Sequence, residues 1–169
     1  MLYNTYEEKF PVLLNSLKNA RAANRMAHAY LIHGDNHTMR EEFATLIAMI
    51  RLCAHPLPDG KPCGKCEVCN RLQRGVYPEL HTLRPSGKMR FIKVGDRINP
   101  DSNTLRWFEE LFYLTANSAF SGKVGIIYDA DRMNDEAQNA FLKTLEEPPP
   151  NTFFILTTGN PSSLLPTTR

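Results

Sequence analysis

The sequence has no apolar run approaching the roughly 20 residues that a membrane-spanning helix needs, so no membrane partner is expected. It has no marked charge of one sign. Twenty Lys and Arg against eighteen Asp and Glu leave +2, too little to argue by itself for a nucleic-acid or membrane-surface partner. The first ten residues, MLYNTYEEKF, lack the basic start and apolar stretch of an export signal, and a cytoplasmic location is expected. There is no internal repeat and no low-complexity segment. Four cysteines without an export signal point to thiols or a metal rather than to a disulfide framework. What remains is a chain of 169 residues, 42% hydrophobic and 22% charged, the composition of one soluble globular domain long enough for a real core.

Helical spacing of Phe10, Leu13, Leu14, Leu17 and Ala20 predicts a helix from about Phe10 to Ala23, with Lys18, Arg21 and Arg25 on its solvated face. Ala29–Ile32 reads as a strand and His33–His37 as a loop. Thr38 and Glu41 have the form of a capping box opening the next helix, which Phe43, Leu46, Ile47 and Ile50 carry towards Cys53. A short helix is expected to end near Gly75, and Leu80–Leu83 is a strand bordered by Pro78 and Pro85. Ser86–Pro100, with Lys88, Arg90, Lys93 and Arg97, reads as a polar surface connection. Thr104–Thr115 is a predicted helix with Leu105, Phe108, Leu111 and Phe112 inward, and Ser121-Gly122 a turn. Val124–Tyr128 is a buried strand ending in Asp129 and Asp131. Asn134 opens a helix with Ala137, Ala140, Phe141 and Leu145 on its apolar face. Phe153–Thr157 is a last strand, followed by a Pro161–Pro166 loop holding Leu164 and Leu165. Strands alternating with helices predict an α/β fold around a parallel sheet covered on both faces.

A buried strand ending in carboxylates suits a nucleotide site, in which an acid holds magnesium beside the phosphates. Such a site also needs a phosphate loop, G-x-x-x-x-G-K-[ST], after the first strand. Its place here is Gly34–Glu41, GDNHTMRE. Gly34 matches the first glycine, but Met39 stands at the second, Arg40 at the lysine and Glu41 at the hydroxyl. A β-carbon at Met39 crowds the phosphate path. Arg40 keeps the charge without lysine's compact geometry. Glu41 and Glu42 repel a phosphate at that helix start. Gly60-Lys61, Gly64-Lys65, Gly87-Lys88 and Gly122-Lys123 each lack the earlier glycine and the following hydroxyl. ATP is therefore not expected to bind, and no catalytic residue is assigned.

Cys53, Cys63, Cys66 and Cys69 are spaced C-x9-C-x2-C-x2-C. Four thiolates suit a closed, tetrahedral, structural zinc site. An iron–sulfur cluster also takes four cysteines, and a redox pair at Cys63/Cys66 or Cys66/Cys69 is the weaker option. Gly64 permits a tight turn, and Lys61 and Lys65 offset thiolate charge. His55 is near enough to be weighed as a substitute ligand. His28, His33, His37 and His81 have no ligand spacing and read as packing or surface residues.

Three segments carry a resemblance to a known family: HAYLIHG at His28–Gly34, Cys53 with CGKCEVC at Cys63–Cys69, and NAFLKTLEEPP at Asn139–Pro149. The chain resembles the N-terminal AAA+ domain (a RecA-like, P-loop NTPase-type fold) of the bacterial DNA polymerase III clamp-loader gamma/tau/delta-prime family. The likeness runs from about Phe10 to Arg169. It implies one AAA+ domain over 1–169 with a zinc module inserted at about 53–75. Aligned on the family pattern, Tyr128 takes the position of the magnesium-binding aspartate and Asp129 that of the following glutamate. Counting from Asp129 instead leaves Ala130 at the glutamate, so the acid pair is broken either way.

With phosphate loop and acid pair both degraded, the chain looks like the delta-prime branch, which does not hydrolyse ATP. That likeness implies a structural arm of the DNA polymerase III holoenzyme's clamp loader, contacting gamma/tau and delta while the ring opens a sliding clamp onto primed DNA. The family's Ser-Arg-Cys motif and its lid and collar domains are expected beyond Arg169, and the trans-acting arginine role is not carried to Arg169 itself. Two other readings stand beside this one. One is an ATP-hydrolysing gamma/tau-like subunit with an aberrant loop. The other is a zinc-dependent DNA-binding module using Lys88, Arg90, Lys93 and Arg97.

Overall fold

The structure, a computed structural model, describes residues 1–114, 122–164, 166 and 168. Its centre is an all-parallel sheet of β1 (Ala29–His33), β2 (Leu80–Leu83), β3 (Lys123–Ile127) and β4 (Thr152–Thr158). In space the strands run β1-β4-β3-β2. The last strand thus lies between the first and the third, with Leu156 beside both Leu31 and Ile127. Every residue of β4 is buried, as a central strand with both faces covered requires.

Helices α1 (Leu2–Glu7), α2 (Pro11–Ala22), α3 (His37–Leu52) and α4 (Glu67–Gln73) share one apolar layer, where Tyr3, Leu14, Leu46 and Ile50 meet Val124 and Ile155 of the sheet. Helices α5 (Leu105–Glu110) and α6 (Asp135–Glu146) cover the other face, where Phe108 and Phe141 meet Ile127 and Phe154. Gly125 is the point of closest approach on that face. A Cβ there would lie 2.6–2.8 Å from the rings of Phe112, Phe154 and Phe108, which pack edge to face at centroid distances near 5.1 Å. The parallel α/β architecture expected from the sequence is the one observed.

Four local expectations change. Helix α1 was not foreseen: Tyr3 and Tyr6, one turn apart, are both buried, and Tyr6 Oη hydrogen-bonds Glu42 on α3. Thr38 and Glu41 do not form a capping box. Asn36 caps α3, its Oδ1 accepting from Met39 N–H at 2.9 Å, which puts Thr38 inside the first turn. Helix α5 stops at Glu110, because the next residues turn and Lys123 Nζ draws in the carbonyls of Phe112 and Leu114, each at 2.9 Å. The 86–100 segment is not wholly a surface connection: Ile92 is fully buried, and its N–H donates to Arg132 O at 3.0 Å. Thr115, Ser121, Leu165 and Arg169, invoked in the expected elements, lie outside the described residues. No helix among the described residues is long and apolar enough to cross a membrane.

Candidate functional site

In a parallel sheet, ligands lie beyond the carboxyl ends of the strands. Here that edge gathers Gly34 after β1, Arg84 after β2, Asp129 and Asp131 after β3, and Gly159 after β4. The start of α3 enters the same space, so Gly34–Glu41 sits where a phosphate loop would.

Arg40 fills that space. It is only 7% exposed, and its guanidinium donates to Gly34 O at 2.5 Å and to Asp129 Oδ1 at 3.0 Å. A Cβ at residue 159 would stand 3.4 Å from Arg40 Nη1, so Gly159 leaves room for the guanidinium. Arg40 Nε is buried with no hydrogen-bond partner. The geometry differs from that of a phosphate-loop lysine, which reaches outward to ligand oxygens. Arg40 turns back onto the loop's own carbonyl and the strand-end carboxylate.

Asp129 takes part in further contacts. It adopts the left-handed conformation with φ 49°, which aspartate tolerates better than most residues. Its N–H donates to Thr157 Oγ1 at 3.1 Å, and its Oδ2 lies 3.5 Å from His37 Nε2. His37 Nε2 is also 3.4 Å from Glu41. Asp131 accepts a 2.6 Å hydrogen bond from Thr158 Oγ1. Both strand-end carboxylates are therefore engaged by the protein itself.

A second closure lies beside the first. Arg84 Nη1 pairs with Glu41 Oε1 at 2.5 Å, and the same guanidinium stands 3.7 Å from the centroid of the Tyr128 ring. Burial pushes the Tyr128 phenol above its ordinary range, opposed by Arg84. A neutral, buried phenol cannot supply the negative oxygen that a magnesium ion needs. The hydrogen bond from Arg84 to Glu41 raises the Arg84 guanidinium above its usual range.

Gly34, Met39, Arg40, Glu41, Tyr128 and Asp129 are thus brought to one edge of the sheet, as their sequence positions imply. Met39 stands slightly apart, facing an apolar groove that Phe10, Leu13 and Phe43 also line. Sequence reasoning missed Arg84, His37, Thr157 and Thr158. Arg84 had a usable signal, since it directly follows β2 at the edge where ligands bind. His37 had a local signal only for its i,i+4 contact with Glu41; its other partner, Asp129, is distant in the chain.

The four cysteines converge elsewhere, against the α3–α4 side of the molecule. All are free, and their Sγ atoms lie within 4.8 Å of one another. Cys53 Sγ is 3.6 Å from Cys63 Sγ and 4.0 Å from Cys66 Sγ. Four sulfurs about 2.3 Å from one tetrahedral zinc would be about 3.8 Å apart, so this set fits the ion. Backbone N–H groups back the sulfurs in series: Cys63 N–H to Cys53 at 3.3 Å, Cys66 N–H to Cys63 at 3.3 Å, and Cys69 N–H to Cys66 at 3.4 Å. The last contact makes Cys66 the N-cap of α4.

Burial pushes the Cys53 and Cys69 thiols up. It pushes Cys66 up as well, but the N–H groups of Cys69 and Ala54 outweigh it and pull that thiol down to about 6. Gly64 makes the tight turn with φ +71°. Lys61 is tied to Glu7 at 3.0 Å and lies over the Tyr3 ring, which anchors the module on α1. His55 is exposed and outside the cluster.

The sequence model of the family described as "DNA polymerase III, delta subunit" matches residues 10–169. The chain is 31% identical over 157 residues to DNA polymerase III subunit delta' of Bacillus subtilis, covering 93% of this chain and 44% of that protein. It is 33% identical over 147 residues to subunit delta' of Escherichia coli, covering 87% and 41%. It is 30% identical over 152 residues to subunit tau of Bacillus subtilis, covering 90% and 25%. The chain thus spans less than half the length of these relatives. Among solved structures, a DNA polymerase III gamma subunit-related protein of Thermotoga maritima aligns with TM-score 0.56 at 21% identity, over 90% of this chain and 42% of that one. A RuvB mutant of Thermotoga maritima aligns with TM-score 0.50 at 14% identity, over 95% of this chain and 41% of that one. These two likenesses concern the fold alone.

Proposed function

The chain belongs to the DNA polymerase III delta-subunit family, and from that premise we propose that it is a non-hydrolysing arm of a bacterial clamp loader. Residues 1–169 form its AAA+ domain, with the cysteine module of about 53–75 inserted. Its place is in the cytoplasm, in a ring with gamma/tau and delta subunits, and it meets the sliding clamp and primed DNA through that assembly. It is a component of the polymerase holoenzyme and no enzyme by itself.

One observation carries this reading: the Arg40 guanidinium bridges Gly34 O and Asp129 where phosphates and magnesium would sit. An internal cation already satisfies the strand-end acid. Opening the site for ATP would require breaking that pair, displacing a buried arginine, and bringing polyphosphate against Glu41. Arg84 over Tyr128 closes the remaining coordination space. Catalysis of phosphoryl transfer is largely positioning and charge stabilisation by metal and lysine, and neither component has a seat here.

The cysteine cluster has a different part. Cys53, Cys63, Cys66 and Cys69 would hold a structural zinc, closed to substrate because protein fills all four positions. Bound there, the ion would tie the end of α3 to the start of α4, adding to the apolar contact the two helices share through one core cluster.

Equilibrium dialysis of the chain against ATP, with and without magnesium, tests the reading. We expect no binding below about 1 mM, the level of roughly 4 kcal/mol of binding energy. A variant carrying Met39→Gly, Arg40→Lys and Glu41→Thr should still fail to hydrolyse ATP, because Tyr128 supplies no magnesium ligand. Magnesium-dependent micromolar binding by the unaltered chain would instead favour an ATP-hydrolysing, gamma/tau-like subunit. Salt-sensitive binding to duplex DNA through Lys88, Arg90, Lys93 and Arg97 would favour the DNA-binding module.

A further inference from the structure

At the amino-terminal edge of the sheet, opposite the closed phosphate site, a pocket of about 330 Å³ opens where α2 and α3 end and the chain enters β3 and β4. Arg21, Arg51, Asn24 and Asn151 give it its polar wall, beside Phe153. The ion pairs of the described residues involve neither Arg21 nor Arg51. Each guanidinium is anchored instead on backbone. Arg21 Nε donates to Ile50 O at 3.1 Å. Arg51 Nη1 donates to the carbonyls of Met26 and Ala27, both at 3.2 Å, and its guanidinium stacks 4.9 Å from the Phe153 ring centroid.

These contacts fix the two cations and leave donors over. A guanidinium has five N–H groups. The terminal nitrogens of Arg21, and Nη2 and Nε of Arg51, have no acceptor among the described residues. The lining holds two fixed cations with unused donors and no carboxylate; Cys53 of the cysteine cluster is its one acidic group among the described residues, and it is engaged by the ion in the metal-loaded chain.

We propose that this pocket binds a phosphate-class oxyanion, gripped by Arg21 and Arg51 with the amides of Asn24 and Asn151 at its rim. A phosphate monoester carries a charge near −2 and three acceptor oxygens, which matches two forked donors. A single carboxylate would leave one cation unpaired. Inorganic phosphate and the terminal phosphate of a nucleic-acid strand offer the same chemistry.

The test is titration of the metal-loaded chain with inorganic phosphate at constant ionic strength, read by the NMR signals of the arginine Nε–H groups, with chloride as control. Saturation at or below about 1 mM is expected, the affinity of two or three charge-assisted hydrogen bonds. Arg51→Gln and Arg21→Gln should each weaken binding at least about tenfold. Should Arg51→Gln fail to fold for want of its Met26 and Ala27 anchors, Arg21→Gln, with one carbonyl anchor, decides. Identical shifts with chloride, or unchanged affinity in Arg21→Gln, overturn the proposal. Oligonucleotides with and without a 5′-phosphate then separate the sources. A phosphorylated strand at least about tenfold tighter than its hydroxyl counterpart marks a strand end as the ligand. Equal weak binding of both, beside saturable inorganic phosphate, marks the free ion.

Discussion

The carboxyl edge of the sheet and the cysteine module complete their charges in opposite ways. At the edge, three carboxylates have a protein cation or donor: Arg40 on Asp129, Arg84 on Glu41, Thr158 on Asp131. In the module, four sulfurs face one another with only backbone N–H groups between them. The first arrangement pairs its own charges, which supports the proposal that it recruits no magnesium nucleotide. The second has no internal cation: burial favours the protonated thiols of Cys53 and Cys69, and a metal ion would displace those protons and bind all four sulfurs. A protein's own side chains can supply the neutralisation that a bound cation would give a strand-end carboxylate, and Arg40 does that for Asp129 here.

The largest test of the contrast is removal of the module's cation. Metal analysis should give about one zinc per chain. Chelation, or Cys69→Ser at the fully buried ligand, should lower stability by several kcal/mol, since binding of a structural zinc is coupled to folding. Thermal unfolding with and without chelator measures it. The carboxyl edge should be untouched, so ATP should remain unbound in the demetallated chain. A chain that purifies without metal and unfolds identically in chelator would remove the contrast altogether.

How far these two sites can be read from sequence depends on how local their signals are. The cysteines are close in sequence, and tight-turn geometry brings three of them together almost by necessity, so spacing alone indicates the cluster. The missing phosphate loop is equally local, since Met39 and Glu41 replace residues of a contiguous pattern. The fate of Arg40 is not local. Its partner is Asp129, 89 residues later, and nothing in GDNHTMRE says that the arginine turns inward. The capping box failed for a local reason: Asn36, two residues before Thr38, caps the helix by accepting from Met39 N–H, so the first turn has begun before Thr38 is reached. Helix α1 escaped because two tyrosines one turn apart are too short a stripe to set a period. The sheet itself was read well, because buried β-branched runs are its strongest local signal.

Arg40→Met gives the next largest effect and probes the edge directly. It strips the cation from Asp129 and frees Gly34 O. Breaking a buried pair costs about 3–5 kcal/mol. Asp129 keeps some contact with solvent, its side chain 22% exposed, which brings the expected loss to about 2–3 kcal/mol in a denaturant titration. Zinc content should not change, and ATP binding should not appear, since Glu41, paired with Arg84, and the Tyr128 ring beneath that guanidinium still occupy the edge. Recovery of micromolar ATP binding in this variant would mean that Arg40 is the sole lock, and the edge would then be a suppressed site rather than a lost one.

The smallest effect concerns the cap. Asn36→Ala removes the acceptor for Met39 N–H at the start of α3 and should cost about 1 kcal/mol, the usual loss on deleting such a cap. Asn36→Asp keeps an acceptor and places a negative charge at the positive end of the helix dipole, so it should be neutral or slightly stabilising. The pair separates two roles for this residue. If the cap were what keeps phosphate away, Asn36→Ala would liberate an N–H that a phosphate could use, and ATP affinity would rise while stability fell. Arg40 already occupies that space through Gly34 O and Asp129, so stability should fall alone. Denaturant midpoints beside ATP dialysis on the two variants read both quantities, and a gain in affinity for Asn36→Ala would move the closure from the arginine to the helix start.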